Sequence, residues 1–226
     1  MTWRSEQPQQ RERLRRLYSS QGADEYHRMM GTVEPEEVKA WLADLSPLIN
    51  LAPGAEVLDV GAGTGALCQI LCRLGPLRLS ALEACPAMLD QLRHRTDVGE
   101  VSLRVGFCDH DDDRDHFAPG SFDLIAGRLV TNGLYDPLAA FRNWLSWLKP
   151  GGRLIVIDGL FDRDGWRGEW QAEVDELPLS CPRSLALVPY LLEQVGFLVR
   201  TVGLAEHVNR CPTTRTPKWI VSASAP

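Results

Sequence analysis

The 226-residue chain contains no apolar run near the roughly 18 residues that cross a membrane as a helix. Its first residues include arginines but no apolar core of a secretory leader, so a cytoplasmic protein without a membrane span is expected. Internal repeats and low-complexity tracts are also missing. Positive charge is in deficit: 24 Lys and Arg face 30 Asp and Glu, a net −6. That balance disfavours a partner gripped mainly through phosphates, such as nucleic acid. The six cysteines are scattered (68, 72, 85, 108, 181, 211) rather than grouped as in a small disulfide scaffold. Cys68 and Cys72 are one helical turn apart, but no further Cys or His pair nearby completes four ligands, so two buried thiols are expected and no metal. What is present, 44% hydrophobic and 24% charged residues, suits one domain with a sizeable core.

One stretch organises the rest. Glu56-Val57-Leu58-Asp59-Val60 is a short apolar run entering Gly61-Ala62-Gly63-Thr64-Gly65, and Ala66 to Leu71 follows with helical spacing. Strand, tight turn and helix in that order open a nucleotide-type α/β unit. Glycine lets the backbone turn sharply at the strand end and approach a ligand closely, while the first N–H groups of the helix face it. Gly61-x-Gly63-x-x-Ala66 formally satisfies a dinucleotide fingerprint. Against that reading, Asp59 stands two residues before the first glycine, where a carboxylate suits a cationic ligand better than a pyrophosphate.

Along the chain, residues 1–31 are polar and arginine-rich (Arg4, Arg11, Arg13, Arg15, Arg16), with Leu14, Leu17 and Tyr18 as a thin stripe for a short helix. Charge runs of this kind are usually solvated faces. Pro35 begins a helix to about Ile49, and a second strand spans Leu77 to Glu83. A helix over 86–95, a strand from Val101 to Phe107, an acidic loop from Asp109 to Gly120 and a strand over 122–126 follow. Asp136-Pro137 caps a helix over 137–148. Lys149-Pro150-Gly151-Gly152 is a turn into a strand over 153–158. Strands alternating with helices at this spacing predict a parallel sheet. Residues 159–183 lose periodicity and read as a lid-like insertion. A helix over 184–195, bent at Pro189, and strands over 197–204 and 219–223 complete the pattern.

With these pieces in place the chain resembles class I S-adenosylmethionine (SAM) methyltransferases over roughly residues 56–158. The resemblance rests on Val57-Leu58-Asp59-Val60-Gly61-Ala62-Gly63-Thr64-Gly65, Leu82-Glu83-Ala84-Cys85-Pro86-Ala87-Met88-Leu89, Gly120-Ser121-Phe122-Asp123-Leu124-Ile125 and Leu148-Lys149-Pro150-Gly151-Gly152-Arg153-Leu154. Within that class it is most similar to the small-molecule branch that includes the ubiquinone and menaquinone methyltransferases. The resemblance implies a Rossmann-like, doubly wound seven-strand sheet with an antiparallel last strand, in one domain over 1–226. Residues 1–31 would then cap the cofactor. It implies that Gly61, Gly63 and Gly65 hold the methionine part of SAM, Asp59 its amino group and Glu83 both ribose hydroxyls. Asp109, or Asp111 in a shifted register, would meet the adenine, with Ala62, Ala84, Met88, His110 and Arg128 also beside the cofactor. Thr131-Asn132-Gly133 stands where the branch often has paired histidines. Gly127-Arg128-Leu129-Val130 replaces the Asn/Asp-Pro-Pro-Tyr of adenine N-methyltransferases, so base methylation is disfavoured.

Methyl transfer needs a base only where the acceptor must lose a proton. Tyr26, His27 and His207 are the candidates for that role. Trp166 and Trp170, four residues apart, are candidates for stacking an aromatic acceptor. The expected partner is a small-molecule acceptor. Rival readings are an RNA or protein methyltransferase using the Arg11–Arg16 arm, an NAD oxidoreductase, and a SAM-binding protein without chemistry. The acidic cluster from Asp109 to His116 offers oxygen and imidazole ligands, but a solvated loop is the expected state.

Overall fold

The computed structural model describes residues 7–166, 170–182 and 184–226. Seven strands, β1 (Glu56–Val60), β2 (Arg78–Glu83), β3 (Val101–Val105), β4 (Phe122–Arg128), β5 (Leu148–Gly159), β6 (Leu198–Leu204) and β7 (Lys218–Ser224), form one sheet. Its order is β3-β2-β1-β4-β5-β7-β6, and β7 alone runs antiparallel to its neighbours. The first two strands to leave β1 in opposite directions, β2 and β4, create a crevice at the carboxyl edge, where ligands of open α/β sheets bind.

Among the described residues, eight α-helices accompany the sheet: α1 (Gln7–Leu17), α2 (Ser20–Tyr26), α3 (Pro35–Leu45), α4 (Ala66–Leu71), α5 (Pro86–Arg93), α6 (Pro137–Trp147), α7 (Trp170–Glu173) and α8 (Leu187–Gln194). Alternation along β1 fixes the layers, since successive side chains point to opposite faces. Val57 joins Trp41 and Leu45 of α3 and Ile70 of α4. Leu58 and Val60 join Phe141, Trp144 and Trp147 of α6 and Leu192 of α8. Each fully buried side chain of this kind stabilises the fold by about 1.5–3 kcal/mol. Asp136 caps α6 as expected: its side chain accepts from the Ala139 N–H at 3.0 Å.

Four expectations change. Residues 7–31 hold two helices and a π turn over His27–Gly31 rather than one short helix. The acidic loop contains a 3-10 turn, Asp111–His116, closed by a box in which the His110 side chain accepts from Asp112 N–H and Asp113 from His110 N–H. The turn at 149–152 lies inside β5, because Leu148 already pairs with Phe122 before the register shifts to Leu124↔Arg153. Pro189 does not bend α8. It occupies the first turn, where its missing N–H has no intrahelical partner to lose. Arg4 and residues 167–169 and 183 of the lid-like insertion lie outside the described residues. No helix among the described residues is long and apolar enough to cross a membrane.

Candidate active site

At the carboxyl edge the β1–α4 turn meets the end of β2. Gly61, Gly63 and Gly65 have φ of 67°, 54° and 90°, in the left-handed region that glycine enters without strain. A Cβ at Gly61 would overlap Val130, and one at Gly65 would overlap Leu92. At Gly63 it would meet only ordinary contacts, Tyr26 Cε1 at 3.6 Å and Met88 Sδ at 3.7 Å, and that glycine lines the cavity. Glu83 fastens the turn in place. Its Oε2 accepts the Gly63 N–H at 3.0 Å, and its Oε1 accepts the Cys85 N–H at 2.8 Å. A carboxylate offers about four lone-pair sites, so Glu83 keeps capacity for a donor of a ligand. Burial pushes the Glu83 pKa up, and the backbone N–H groups of Cys85, Gly63 and Ala84 oppose that rise.

Beneath the turn, Asp59 is fully buried. The Cys68 thiol donates to its Oδ2 at 3.1 Å, while Oδ1 has no partner among the described residues. Burial raises its pKa to about 7, against the Cys68 hydrogen bond and the Arg128 charge. Above the crevice a cavity, partly open to solvent, is lined by Gly61, Gly63, Glu83, Met88, Asp109, Leu129, Val130 and Asn132, among others. A concave lining with a few converging polar groups suits a small-molecule or cofactor site.

Two devices shape its walls. Asp109 accepts from the Tyr135 N–H at 3.0 Å and, with Asp113, pairs with Arg11 of α1 at 3.2 and 2.6 Å. Arg13 pairs with Glu173 and Glu176, and the Tyr135 hydroxyl also donates to Glu173. Helix α1 is therefore tied across the cavity between the loop after β3 and the segment around α7. On the far side, buried Asp158 at the end of β5 accepts from the Thr131 hydroxyl, the Asn132 N–H and side chain, and the Gly159 N–H. Leu129, the only described non-glycine residue with positive φ (58°), starts this segment. Backbone strain of that kind costs on the order of 1–3 kcal/mol and collects at functional sites.

Residues 58–156 match the family model "Methyltransferase domain". That similarity, to a methyltransferase domain, covers a little less than half of the chain. Among curated proteins, the chain is 30% identical over 146 residues to phosphoethanolamine N-methyltransferase 1 of Arabidopsis thaliana, covering 62% of this chain and 28% of that one. It is 37% identical over 106 residues to a ubiquinone biosynthesis O-methyltransferase of Xanthomonas campestris pv. campestris, covering 46% and 43%. The chain thus spans less than half the length of these curated relatives. By fold it is similar to phosphoethanolamine N-methyltransferase 2 of Haemonchus contortus, solved with SAM, with a TM-score of 0.71 at 18% identity over 96% of this chain and 60% of that one. This methyltransferase family uses SAM as its cofactor.

Of the residues singled out in the sequence, the fold brings Gly61, Gly63, Glu83, Ala84, Met88 and Asp109 to the cavity wall, with Tyr26 from the N-terminal segment. Gly65 begins α4, and Ala62 and Asp59 lie behind the lining. His110 turns away to cap the 3-10 turn, and Asp111 pairs with Arg142. His27 and Thr64 both crowd Gly31, and the His27 Nδ1 is buried without a partner among the described residues. His207 pairs with Asp44 of α3 at 2.8 Å, away from the lining residues. Trp170 lines the cavity and stacks at 5.0 Å on Tyr18, whereas Trp166 precedes α7 and meets Trp170 and Phe161. No cluster of three metal-ligating side chains occurs among the described residues. Asp158, Tyr135 and Glu173 escaped the sequence reading. An acid ending β5 was the one signal available for them.

Two outcomes follow from this geometry. Replacing Glu83 with alanine removes the acceptors for Gly63 and Cys85 and the remaining acceptor capacity beside the cavity. Affinity for S-adenosylhomocysteine (SAH) should fall by about 1–3 kcal/mol in calorimetry, and unchanged affinity would place the ligand elsewhere. The second outcome concerns pH. Asp59 titrates near 7 in the folded chain against an ordinary 3.8, so folding takes up a proton between those values and stability drops as pH rises through that window. Burial moves Glu83, Asp109 and Asp158 in the same direction. The ligand-free melting temperature should therefore decline from pH 5 to pH 8, less steeply in Asp59→Asn; a rise over that range would refute the assignment.

Proposed function

We propose that the chain transfers the methyl group of SAM to a small-molecule acceptor by in-line displacement. The observation that carries this reading is the Glu83 carboxylate, which pins the Gly63 N–H and still offers lone pairs to the cavity opposite Asp109. Gly61, Gly63 and Met88 would hold the amino-acid half of the cofactor, Glu83 its ribose and Asp109 its adenine. The residues present fit that group. Gly63 lines the cavity without crowding it, and the unpartnered Asp59 Oδ1 beneath favours a cationic ligand over a pyrophosphate. SAM, when bound, supplies an electrophilic methyl on a sulfonium whose charge disappears on transfer.

The protein's part is then to hold the acceptor aligned and dry. The strained backbone at Leu129, fixed through Thr131 and Asn132 by Asp158, would form the acceptor's floor. Helix α1, α2 and the aromatic row Tyr26, Tyr18, Trp170 and Trp166 would form its cover, as the cap and lid segments. Tyr26 is held in its neutral form, since burial raises its pKa. It would therefore donate a hydrogen bond rather than take a proton. No histidine lines the cavity among the described residues, which favours an acceptor that reacts without a resident imidazole base.

Two arginines of the N-terminal arm are engaged within the chain, which favours a small-molecule acceptor over nucleic acid. Arg11 and Arg13 are spent on Asp109, Asp113, Glu173 and Glu176 of the same chain. Incubating the protein with methyl-labelled SAM and separated cell fractions tests the assignment. Label should appear in the fraction of small metabolites. Label confined to RNA or to protein would contradict it.

A further inference from the structure

Two cations at the carboxyl edge have no hydrogen-bond or ion-pair partner among the described residues. Arg128 ends β4 and Lys218 begins β7, and the strand order β4-β5-β7 leaves only β5 between them. Arg128 is level with Ile157 and Lys218 with Gly159, so the two flank the end of β5. Ala126 and Ile220, two residues from each, pack in the cluster of α3, which puts both side chains on that face. Arg128 is 9% exposed and Lys218 8%.

Among the described residues, neither side chain makes a hydrogen bond or an ion pair. Arg128 Nε is buried without an acceptor. The Lys218 ammonium has only the Phe161 ring, 5.5 Å from its centroid. Nearby carboxylates are engaged elsewhere. Asp158 is held by Thr131, Asn132 and Gly159. Glu37 accepts from Trp41 Nε1 and the Thr213 hydroxyl. Asp59 keeps one oxygen free but does not come within ion-pair distance of Arg128. Burial lowers the Lys218 pKa, and the Arg128 charge lowers it further, against the more distant charges of Asp158 and Glu37. Two like charges, both removed from water and neither directly paired, are costly in a folded chain. One anion between them would remove both penalties.

Position decides which anion. Neighbouring strands lie about 4.8 Å apart, so β7, three strands from β1, is about 14 Å from the glycine turn. Lys218 is therefore beyond the cofactor's amino-acid end, on the side of the crevice left for the acceptor. Tyr26 lines the cavity, and the charges of Arg128 and Asp158 both act on its phenol, so Arg128 stands one side chain from the reacting space. A guanidinium fork with an ammonium beside it suits a carboxylate or a phosphate.

We propose that Arg128 and Lys218 form an anion subsite that holds a carboxylate or phosphate group of the methyl acceptor, an assignment that rests on the methyl-transfer reading above. Helix α3 and the π turn at His27–Gly31 would close over that group. Charge on the acceptor's tail, not only the shape of the cavity, would then select the substrate.

The test uses the full chain saturated with SAH and titrated with inorganic phosphate, with chloride at equal ionic strength as control. Phosphate should raise the melting temperature above the chloride control. In Lys218→Met the half-maximal concentration should rise at least tenfold while SAH affinity stays within about threefold, and Lys218→Arg should restore the response. A wild-type response no larger than chloride's, or one that persists in Lys218→Met, overturns the subsite. Binding of SAH and of 5′-methylthioadenosine, which lacks the cofactor's carboxylate, separates the two sources of anion. Should Arg128→Gln and Lys218→Met weaken SAH but not methylthioadenosine, the cations serve the cofactor and the proposal falls. Failure of wild-type SAH binding would instead remove the methyl-transfer reading itself.

Discussion

A single carboxylate joins the two halves of the crevice. Glu83 ends β2, yet its oxygens accept N–H groups from Gly63 in the turn after β1 and from Cys85 ahead of α5. The Gly61 and Ala62 N–H groups already donate to the Leu82 carbonyl of β2 at 2.8 and 3.1 Å, and the Glu83 bond carries that link on to Gly63, a residue that costs more conformational entropy to order than any other type. The turn's position sets where α4 begins, and the packing of α4 on β1 sets the depth of Asp59. Burial of Glu83 raises the cost of its charge. A ligand that donates to its remaining lone pairs relieves that cost, so the same residue couples the fold to occupancy.

The cover depends on charges drawn from distant parts of the chain. Arg11 reaches Asp113 across 102 residues and Arg13 reaches Glu173 across 160. Arg11 is largely buried, and its bonds to Asp113 and Asp109 lie against Phe107, 4.5 Å from the ring centroid to the guanidinium carbon. Pairs shielded in this way contribute more than exposed ones, which are worth about 0–1 kcal/mol. Helix α1 has no apolar face wide enough to dock by burial alone. These contacts and the Tyr18 stacking on Trp170 keep it over the cavity. Its attachment at two separated points is the kind of contact that admits opening and closing without disturbing the sheet.

Local pattern was enough to read the sheet and most of the crevice. Val57 to Gly65 announced strand, turn and helix because apolar period and glycine spacing are properties of neighbours in sequence. The same holds for Pro137 behind Asp136. Asp158 was not legible, since its meaning comes from Thr131 and Asn132, 26 or more residues earlier, arriving at the same edge. Lys218 read only as a residue before a strand; the crossover order that brings β7 beside β5 gives it Arg128 as a neighbour. His207 and His27 carried the right chemistry for a base, but Asp44 and the Gly31–Thr64 contact occupy their surroundings. A titratable side chain advertises its chemistry in sequence, while its address is a property of the fold.

Calorimetric titration with SAH and, separately, with NADH tests the account at its centre, because both ligands compete in principle for a glycine turn below an acidic strand end. The account predicts SAH binding in the micromolar range, roughly −8 kcal/mol, and no heat from NADH. Binding of NADH with none of SAH would contradict it.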